Sequence, residues 1–451
     1  MSKFWREDSN SSSNSSSDDD EDHDSSSKTR SLQECIRSEE EEREAMSQDP
    51  DYAWEKIRSS QAFLKPPAKR LSAKEKGQSN NKKDYHRFVF ISDTHGRHRD
   101  IPYLPRGDVL VHSGDFTKSG ETGTIEDLSA YFGELIDGGI FSKVICVAGN
   151  HDLTLDQDYY DREWQRFHKE GHKFDPATAQ KAIRKHATYL NDESHVLEYS
   201  LDDDDATANS RSIHVWGSPY SPNFFNWGFM KERGPPIRDV WDKIPSKCDA
   251  QPVDLLVTHG PPLGRGDLAV LKSGKNGAKT RAGCYDLLQA IQDRIRPKIN
   301  VFGHIHEGHG VTYDGTTLYV NASSMNRTYE AVHLPIVIDF SLNETESPEV
   351  VQPSSLFCNA NTNITSVEEW IQWCHHYGHE QVATTLAKGF SIETAEKWFG
   401  QKKEPPLDEF LQELATELES CERPTRESRR QLASMVFHLY ALAFEDEKLV
   451  S

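Results

Sequence analysis

Five strand-like segments of this sequence are each followed at once by side chains that can bind metal. The segments are apolar and rich in β-branched and aromatic residues, as in HRFVFIS and VDLLVTH. The side chains that follow them are Asp93, His95, Asp115, Asn150, His259, His304 and His306. In an α/β fold the carboxyl ends of the strands line a common crevice, so we expect these side chains to converge. Burying unpaired polar groups costs several kcal/mol each, which favours a metal site over a coincidence.

The number of candidate ligands predicts two metal ions. A single ion with four to six coordination positions cannot use seven protein ligands, whereas two ions that share a carboxylate can. Mixed carboxylate, imidazole and amide donors suit Mn, Fe or Zn better than Ca, which prefers oxygen ligands. Two ions about 3.5–4 Å apart are the arrangement that clamps a phosphoryl group during in-line displacement. We therefore expect two divalent ions, without a preference among these metals.

Helix-like and strand-like segments alternate around these motifs. TIEDLSAYFGELIDGG reads as an amphipathic helix that ends at glycine, and CYDLLQAIQDRIRP has a second helical pattern. Near-continuous apolar strands indicate a sheet that helices cover on both faces. Further strand-like runs with few helices between them, such as SIHVWGSP and TTLYVNAS, indicate a second sheet. We expect an α/β sandwich over residues 85–342.

The two flanks differ from this central region in composition. Residues 1–84 begin with a Ser/Asp tract and end Lys-rich, so we expect a disordered tail that cannot bury enough apolar surface to offset its chain entropy. Within it, YAWEKIRSSQAFL has near-helical apolar spacing, which allows a short ordered segment. Residues 343–364 are an Asn/Ser/Pro-rich linker, and residues 365–451 have amphipathic helical patterns without a catalytic motif. The tail and the C-terminal helices are candidate contact regions for a protein partner.

Charge and cysteine content exclude several classes of protein. The formal net charge of −21 argues against general nucleic-acid binding, but not against a small nucleotide substrate, because bound metal supplies local positive charge. The 7 cysteines are odd in number and form no CxxC pair, as expected in a reducing compartment. We find neither a secretory signal nor an apolar run that could cross a membrane. We therefore predict an intracellular protein, cytoplasmic or nuclear, with no membrane partner.

The strand-end motifs SDTHG, HSGD, AGNHD, VTHGPP and GHIH resemble, in kind and order, those of the calcineurin-like metallophosphoesterase superfamily. The longer stretches GNHDLTLD, GSPYSPNFFNWGF, LLVTHGPPLGRGD and NASSMN are similar to its subgroup of metallophosphoesterase-domain-containing proteins. The resemblance extends over residues 86–342. It implies a four-layer α/β/β/α sandwich and a metal-dependent phosphoric ester hydrolase.

The resemblance also implies a role for each motif residue, with Asp115 shared between two ions. The ligands of the first ion would be Asp93, His95 and His306, and those of the second Asn150, His259 and His304. His151 would stabilise the phosphoryl oxygens or protonate the leaving group, and Asp152 would orient its imidazole. The nucleophile would be a hydroxide that bridges the two ions.

The stretch FGHIHEGHG contains three histidines, of which we expect two to bind metal. In an extended segment with a period of two, His304 and His306 face the same way across Ile305. Some animal members of the subgroup carry glycine at the position of His304, which weakens their second metal site. This chain therefore matches the complete pattern, while His309 lies outside it and is expected to be an ordinary loop residue.

Four further residues are candidate substrate contacts. Phe225 and Trp227 belong to the aromatic loop YSPNFFNWGFMKERGPP, which either stacks on a nucleobase or covers the second sheet. Arg265 lies in the loop after His259 and is a candidate phosphate contact. Asn321, in VNASSMN, is a candidate neighbour of the metals and the substrate.

These features predict hydrolysis of phosphodiesters, and the subgroup resemblance implies cyclic nucleotides or similar small diesters as substrates. Two alternatives stay open. A protein serine/threonine phosphatase uses the same ligand set, and activity on phosphopeptides but not on diesters would favour it. A nucleotide-binding scaffold with low turnover is the non-enzymatic alternative, against which the presence of His304 argues.

Overall fold

A computed structural model describes residues 32–69, 85–101, 104–169, 172–200, 210–270, 279–331, 333–343 and 345–351. The helices predicted over residues 365–451 lie outside the described residues, as do residues 1–31. The chain divides into two units, Met1–Arg43 and Glu44–Ser451, and the second contains every element discussed below from residue 44 onward. None of the helices in the described ranges is both long and apolar enough to span a bilayer.

Seventeen strands and seven α-helices make up the described chain. The strands are β1 (Ala68–Lys69), β2 (Tyr85–Ile91), β3 (Val109–His112), β4 (Lys143–Val147), β5 (Thr188–Leu190), β6 (Glu193–Ser200), β7 (Ser210–Ser218), β8 (Ser221–Pro222), β9 (Met230–Lys231), β10 (Leu255–Thr258), β11 (Leu268–Val270), β12 (Lys279–Arg281), β13 (Ile299–Phe302), β14 (Gly310–Tyr313), β15 (Leu318–Asn321), β16 (Ile336–Ser341) and β17 (Glu349–Val351). The helices are α1 (Leu32–Gln48), α2 (Pro50–Ile57), α3 (Thr122–Asp137), α4 (Gln157–Glu163), α5 (Pro176–Ile183), α6 (Pro235–Trp241) and α7 (Tyr285–Gln289), and a π-helical turn over Ala290–Ile295 continues α7.

The strands form two large sheets, each built around parallel strands. The seven-stranded sheet has the order β1-β17-β16-β2-β3-β4-β5, in which β2 to β5 are parallel. The six-stranded sheet has the order β14-β15-β13-β10-β7-β6, in which β7, β10, β13 and β15 are parallel. Because parallel strands end at one edge, the motifs after β2, β3 and β4 meet at one edge of the first sheet, and those after β10 and β13 at one edge of the second.

Alternating side chains of the strands serve two different cores. In β2, Phe88 and Phe90 point between the two sheets, whereas Val89 packs in the core that contains α3 and α5. In β10, Val257 points between the sheets and Leu256 packs against α6 and α7. Each such side chain contributes about 1.5–3 kcal/mol by leaving water. The resulting order of helix, sheet, sheet and helix confirms the predicted four-layer α/β/β/α sandwich.

The predicted ends of the domain need correction. Residues 44–69 were expected in the disordered tail of residues 1–84, yet they contain α2 and β1, and β1 pairs with β17. Ala53 of YAWEKIRSSQAFL is fully buried, since the domain offers this segment an apolar surface that its average composition does not reveal. Residues 349–351, assigned to the linker, form β17, so the described domain extends beyond residue 342.

Candidate metal centre

The strand ends bring the predicted ligands together in two adjoining groups. The potential ligand atoms of each group lie within 4.8 Å of one another: Asp93, His95 and His306 in the first group, and Asp115, His259 and His304 in the second. Asn150 joins the second group, because its Oδ1 lies 3.0 Å from Nε2 of His259. The structure therefore brings all seven side chains together at one site.

The two groups meet at the carboxylate of Asp115. Its Oδ1 lies 3.4 Å from Nε2 of His259, and its Oδ2 lies 3.8 Å from Nε2 of His95. The side chain is buried, and the peptide nitrogen of His151 donates to Oδ1 at 2.8 Å. One carboxylate thus presents one oxygen to each ligand group, an arrangement in which it could be shared between two ions.

Backbone carbonyl groups fix the orientation of the imidazoles. The Nδ1 atoms of His95, His151, His259 and His306 donate to the carbonyl oxygens of Thr117, Lys118, Ser113 and Asn326, at 3.1, 2.7, 2.9 and 2.9 Å respectively. Because a carbonyl oxygen only accepts, each Nδ1 carries a proton, and Nε2 is the nitrogen left to bind a ligand. Such partners hold a metal-binding histidine in one tautomer and one orientation.

The backbone itself is strained at the site. Four of the seven candidate ligands have left-handed φ values: Asp93 at 53°, His95 at 44°, Asp115 at 57° and His304 at 68°. Residues other than glycine adopt this region at a cost of about 1 kcal/mol or more, and such strain gathers at functional sites. Two glycines allow the backbone to pass close to the aspartate side chains of the site. A Cβ on Gly149 would collide with Oδ1 of Asp115, and one on Gly303 would collide with Oδ2 of Asp93.

Burial and neighbouring charge shift the pKa values of these groups. Burial lowers the pKa of His304 to about 3 and that of His95 to about 4, which keeps both imidazoles neutral. Burial would also lower the pKa of His259, but the charge of Asp115 raises it to about 9. In turn, burial would raise the pKa of Asp115, yet the charges of His259 and His151 hold it well below its usual range. Neutral imidazoles and an ionised carboxylate are the forms that bind metal.

The structure corrects the predicted role of Asp152. The Nδ1 of His151 donates to the carbonyl of Lys118, so Asp152 does not orient this imidazole. The buried carboxylate of Asp152 instead accepts hydrogen bonds from the peptide nitrogens of Gly149, Phe116 and Thr117, and from the Thr117 hydroxyl. It therefore joins the loop after β3 to the loop after β4. His151 itself lies at the cluster, with a ring nitrogen within 4.8 Å of the ligand atoms of His95 and Asp115.

Of the two candidate substrate contacts in the aromatic loop, Trp227 lies at the site and Phe225 does not. The ring of Trp227 lies 4.3 Å from that of His151, measured between centroids. Phe225 is 73% exposed and packs edge-on against Phe224 at 4.3 Å. Trp227 therefore forms one side of the site, while Phe225 extends outward at the tip of the loop.

The other two predicted contacts are held by neighbouring chain segments. The buried guanidinium of Arg265 donates to the carbonyl of Ala62 at 2.9 Å and to Oε1 of Gln61 at 3.2 Å. The amide nitrogen of Asn321 donates to the carbonyls of Gly266 at 3.1 Å and Ile305 at 2.9 Å. Both side chains thus position loops that border the site.

His309 lies outside both ligand groups, as expected for a loop residue. Its ring stacks on that of His333 with centroids 4.5 Å apart, and its Nε2 donates to the carbonyl of Leu334 at 3.0 Å. The third histidine of FGHIHEGHG is therefore engaged in a contact between loops.

Tyr329 is a site residue that the sequence reasoning missed. Its ring meets those of His95 and His306 edge-on, at 4.8 and 5.4 Å between centroids, and the side chain is 41% exposed. Tyr329 has a left-handed φ of 62°, and its peptide nitrogen donates to the carbonyl of Asn326, which also accepts from His306. No sequence signal distinguishes this tyrosine, because its position depends on a turn that the ligand histidine itself holds.

The chain is similar to several known proteins. The family model described as calcineurin-like phosphoesterase matches residues 86–308, which contain all the clustered side chains. Metallophosphoesterase domain-containing protein 1 of Homo sapiens is 37% identical over 294 residues, which is 65% of this chain and 82% of that protein. UPF0046 protein T07D4.2 of Caenorhabditis elegans is 32% identical over 300 residues, which is 66% of this chain and 69% of that protein. The solved structure of calcineurin-like phosphoesterase YfkN from Bacillus subtilis aligns with a TM-score of 0.31 and 13% identity, covering 59% of this chain and 88% of that chain.

Proposed function

Because the chain belongs to the calcineurin-like phosphoesterase family, we propose that it is a binuclear-metal-dependent hydrolase of small phosphodiesters such as cyclic nucleotides. The observation that carries the proposal is the position of Asp115, whose two oxygens face different groups of ligands. A shared carboxylate is what allows two ions to lie close enough to act on one phosphoryl group.

The donor set fits two divalent ions of the Mn, Fe or Zn type. Asp115 would be shared, and the remaining ligands would be Asp93, His95 and His306 for one ion and Asn150, His259 and His304 for the other. When bound, the ions polarise the phosphoryl oxygens and lower the pKa of a coordinated water. His95 and His304 are neutral and offer a lone pair at once, whereas His259, whose pKa is raised to about 9, would release a proton when an ion binds.

We infer that His151 passes a proton to the departing oxygen. It can do so from Nε2 only as an imidazolium, and the proton that the attacking water gives up restores this form. Hydrolysis forms a bond between a water oxygen and phosphorus and breaks the ester bond, and the departing oxygen must take up a proton. The Nδ1 of His151 is occupied by the carbonyl of Lys118, which leaves Nε2 as the nitrogen that serves the substrate. The ring of Trp227 lies beside this imidazole, tilted by 40°, and would support a flat group, such as a nucleobase, next to the scissile bond.

A panel of substrates and metals tests the proposal. Metal-free protein is supplied with Mn, Fe, Co or Zn and assayed on bis(p-nitrophenyl) phosphate, p-nitrophenyl phosphate, a cyclic nucleotide and a phosphopeptide. We expect the diesters to be hydrolysed faster than the monoester with at least one metal. The absence of diester turnover with every metal would refute the proposal, and turnover of the phosphopeptide alone would support a protein phosphatase instead.

A further inference from the structure

A cavity of about 770 Å³ lies beside the metal centre and has no role in the mechanism above. It reaches His306 and Asn326 on one side and Gly264–Val270 on another. Trp54 and Phe63 of the N-terminal segment, residues 44–69, form a further part of its wall. The cavity volume falls within the range that holds a small-molecule ligand.

The N-terminal segment is fixed on the domain along its length. Asp51 accepts from the peptide nitrogen of Arg281 at 2.9 Å and from the Thr280 hydroxyl at 2.6 Å. Further along, the peptide nitrogen of Leu64 donates to the carbonyl of Tyr313 at 2.8 Å. The wall that this segment contributes is therefore part of the folded structure.

The lining of the cavity has an excess of positive charge. Its cationic side chains are Arg265, Lys279, Arg281 and Arg327, and its carboxylates are Asp267, Glu307 and Glu330. Arg281 and Arg327 pair with Asp267 and Glu307 at 2.5 and 2.9 Å, and Glu330 accepts from Asn326 and Thr328. The paired charges cancel, and Glu330, whose partners are neutral, offsets one of the two remaining cations, Arg265 and Lys279. The lining therefore keeps a net charge of about +1.

Arg265 contributes a buried charge that forms no direct ion pair among the described residues, with Asp314 and Asp267 as the nearby carboxylates. Its guanidinium lies between the rings of Phe63 and Tyr319, at 4.3 and 4.6 Å, and its terminal nitrogens donate to neutral oxygens rather than to a carboxylate. Its Nε has no hydrogen-bond partner among the described residues. A buried cation of this kind favours an anion nearby, and the overall charge of −21 makes such a positive region unusual in this chain.

We propose that this cavity is a subsite for the anionic arm of a linear phosphodiester, such as a dinucleotide with its own terminal phosphate. The scissile phosphate would lie at the metal centre and the charged arm would pass His306 into the cavity. A cyclic nucleotide has no second anionic group and would leave the cavity unused. The inference rests on the proposed function and narrows its substrate class from small phosphodiesters in general to linear ones that carry a second anionic group.

The test compares two linear dinucleotides that differ only in a terminal 5′-phosphate. With Mn-loaded full-length protein, we expect kcat/KM to be at least roughly fivefold higher for the phosphorylated dinucleotide. This corresponds to about 1 kcal/mol for one added ionic contact.

Lys279→Glu should abolish this preference and Lys279→Gln should reduce it. Both variants should fold, because Lys279 is exposed on β12 and its replacement leaves the core intact. Lys247→Glu, on an exposed turn after α6, is the matched control and should keep the preference.

Equal kcat/KM for the two dinucleotides in the wild type, or an unchanged preference in Lys279→Glu, would overturn the subsite. If no diester is hydrolysed with any metal, the proposed function fails, and equilibrium binding of the same two dinucleotides then tests the subsite by itself. Preferential binding of the phosphorylated one, lost in Lys279→Glu, would support the cavity as an anion site. Equal binding of both would overturn it.

Discussion

The ligand cluster and the rim around it differ in how firmly the fold holds them. In the cluster, side chains such as Asp93, His95 and His259 are almost completely buried, and carbonyl groups fix the imidazoles. In the rim, which comprises the loop of residues 223–229 and the turn of residues 326–330, Phe225 and Tyr329 are 73% and 41% exposed. The difference indicates that the cluster determines the chemistry, whereas the rim determines which substrate reaches it.

Replacement of Asp115, the carboxylate that we propose is shared, should have the largest effect. It tests whether the ligand cluster determines the chemistry. Asp115→Asn keeps the shape of the side chain but removes the charge that both ligand groups face. We expect kcat/KM to fall by more than the roughly 100-fold that loss of an outer partner of a metal ligand costs. Steady-state kinetics and metal analysis of the purified variant measure this.

Asp152→Asn is the matched control, because Asp152 is also buried and lies on a neighbouring loop. An amide cannot accept all the hydrogen bonds that this carboxylate receives, so the free energy of unfolding should fall by about 1–3 kcal/mol. Metal binding should be retained. Full activity of Asp115→Asn would show that this carboxylate is not shared between ions.

His151→Ala separates proton transfer from metal binding. We expect kcat to fall about 10²–10⁴-fold, as is usual when a general acid is removed, while the number of bound ions stays the same. His195→Ala on β6 is the control, and its kinetics should match the wild type. A loss of metal in His151→Ala would instead make this imidazole a ligand.

His304→Gly tests the second ligand group alone. Removing this imidazole leaves Asp115, His259 and Asn150 in that group, so the affinity for the second ion should fall by more than the roughly 100-fold that loss of an outer partner of a metal ligand costs. Activity at limiting metal should fall and recover in part when the metal concentration is raised. An unchanged metal affinity would remove His304 from the ligand set.

Trp227→Ala should have the smallest effect and should act on the rim. Loss of the stacking surface beside His151 should raise KM for a cyclic nucleotide about fivefold or more, with a smaller change in kcat. Phe225→Ala is the comparison, because Phe225 packs on Phe224 and extends into solvent. Equal effects of the two variants would mean that the loop does not contact the substrate through Trp227.

The ligand cluster was also easier to predict from the sequence than the contacts that surround it. The two sheets and the convergence of the ligands were predictable, because apolar strands and the residue types at their ends are both legible in a sequence. The order of the four layers was implied by the resemblance to the calcineurin-like superfamily. The hydrogen-bond partner of His151 was not predictable. It is the backbone carbonyl of Lys118, and every residue has a backbone carbonyl. Tyr329 and the N-terminal segment were missed for a related reason, because tertiary contacts rather than local composition hold them in place.

The number of ions bound per chain tests the central claim most directly. Metal-free protein is dialysed against Mn at increasing free concentration, and bound metal and diester hydrolysis are measured on the same samples. The account predicts two ions per chain, with hydrolysis appearing as the second ion binds. Saturation of hydrolysis at one ion per chain, with no second ion bound, would contradict it.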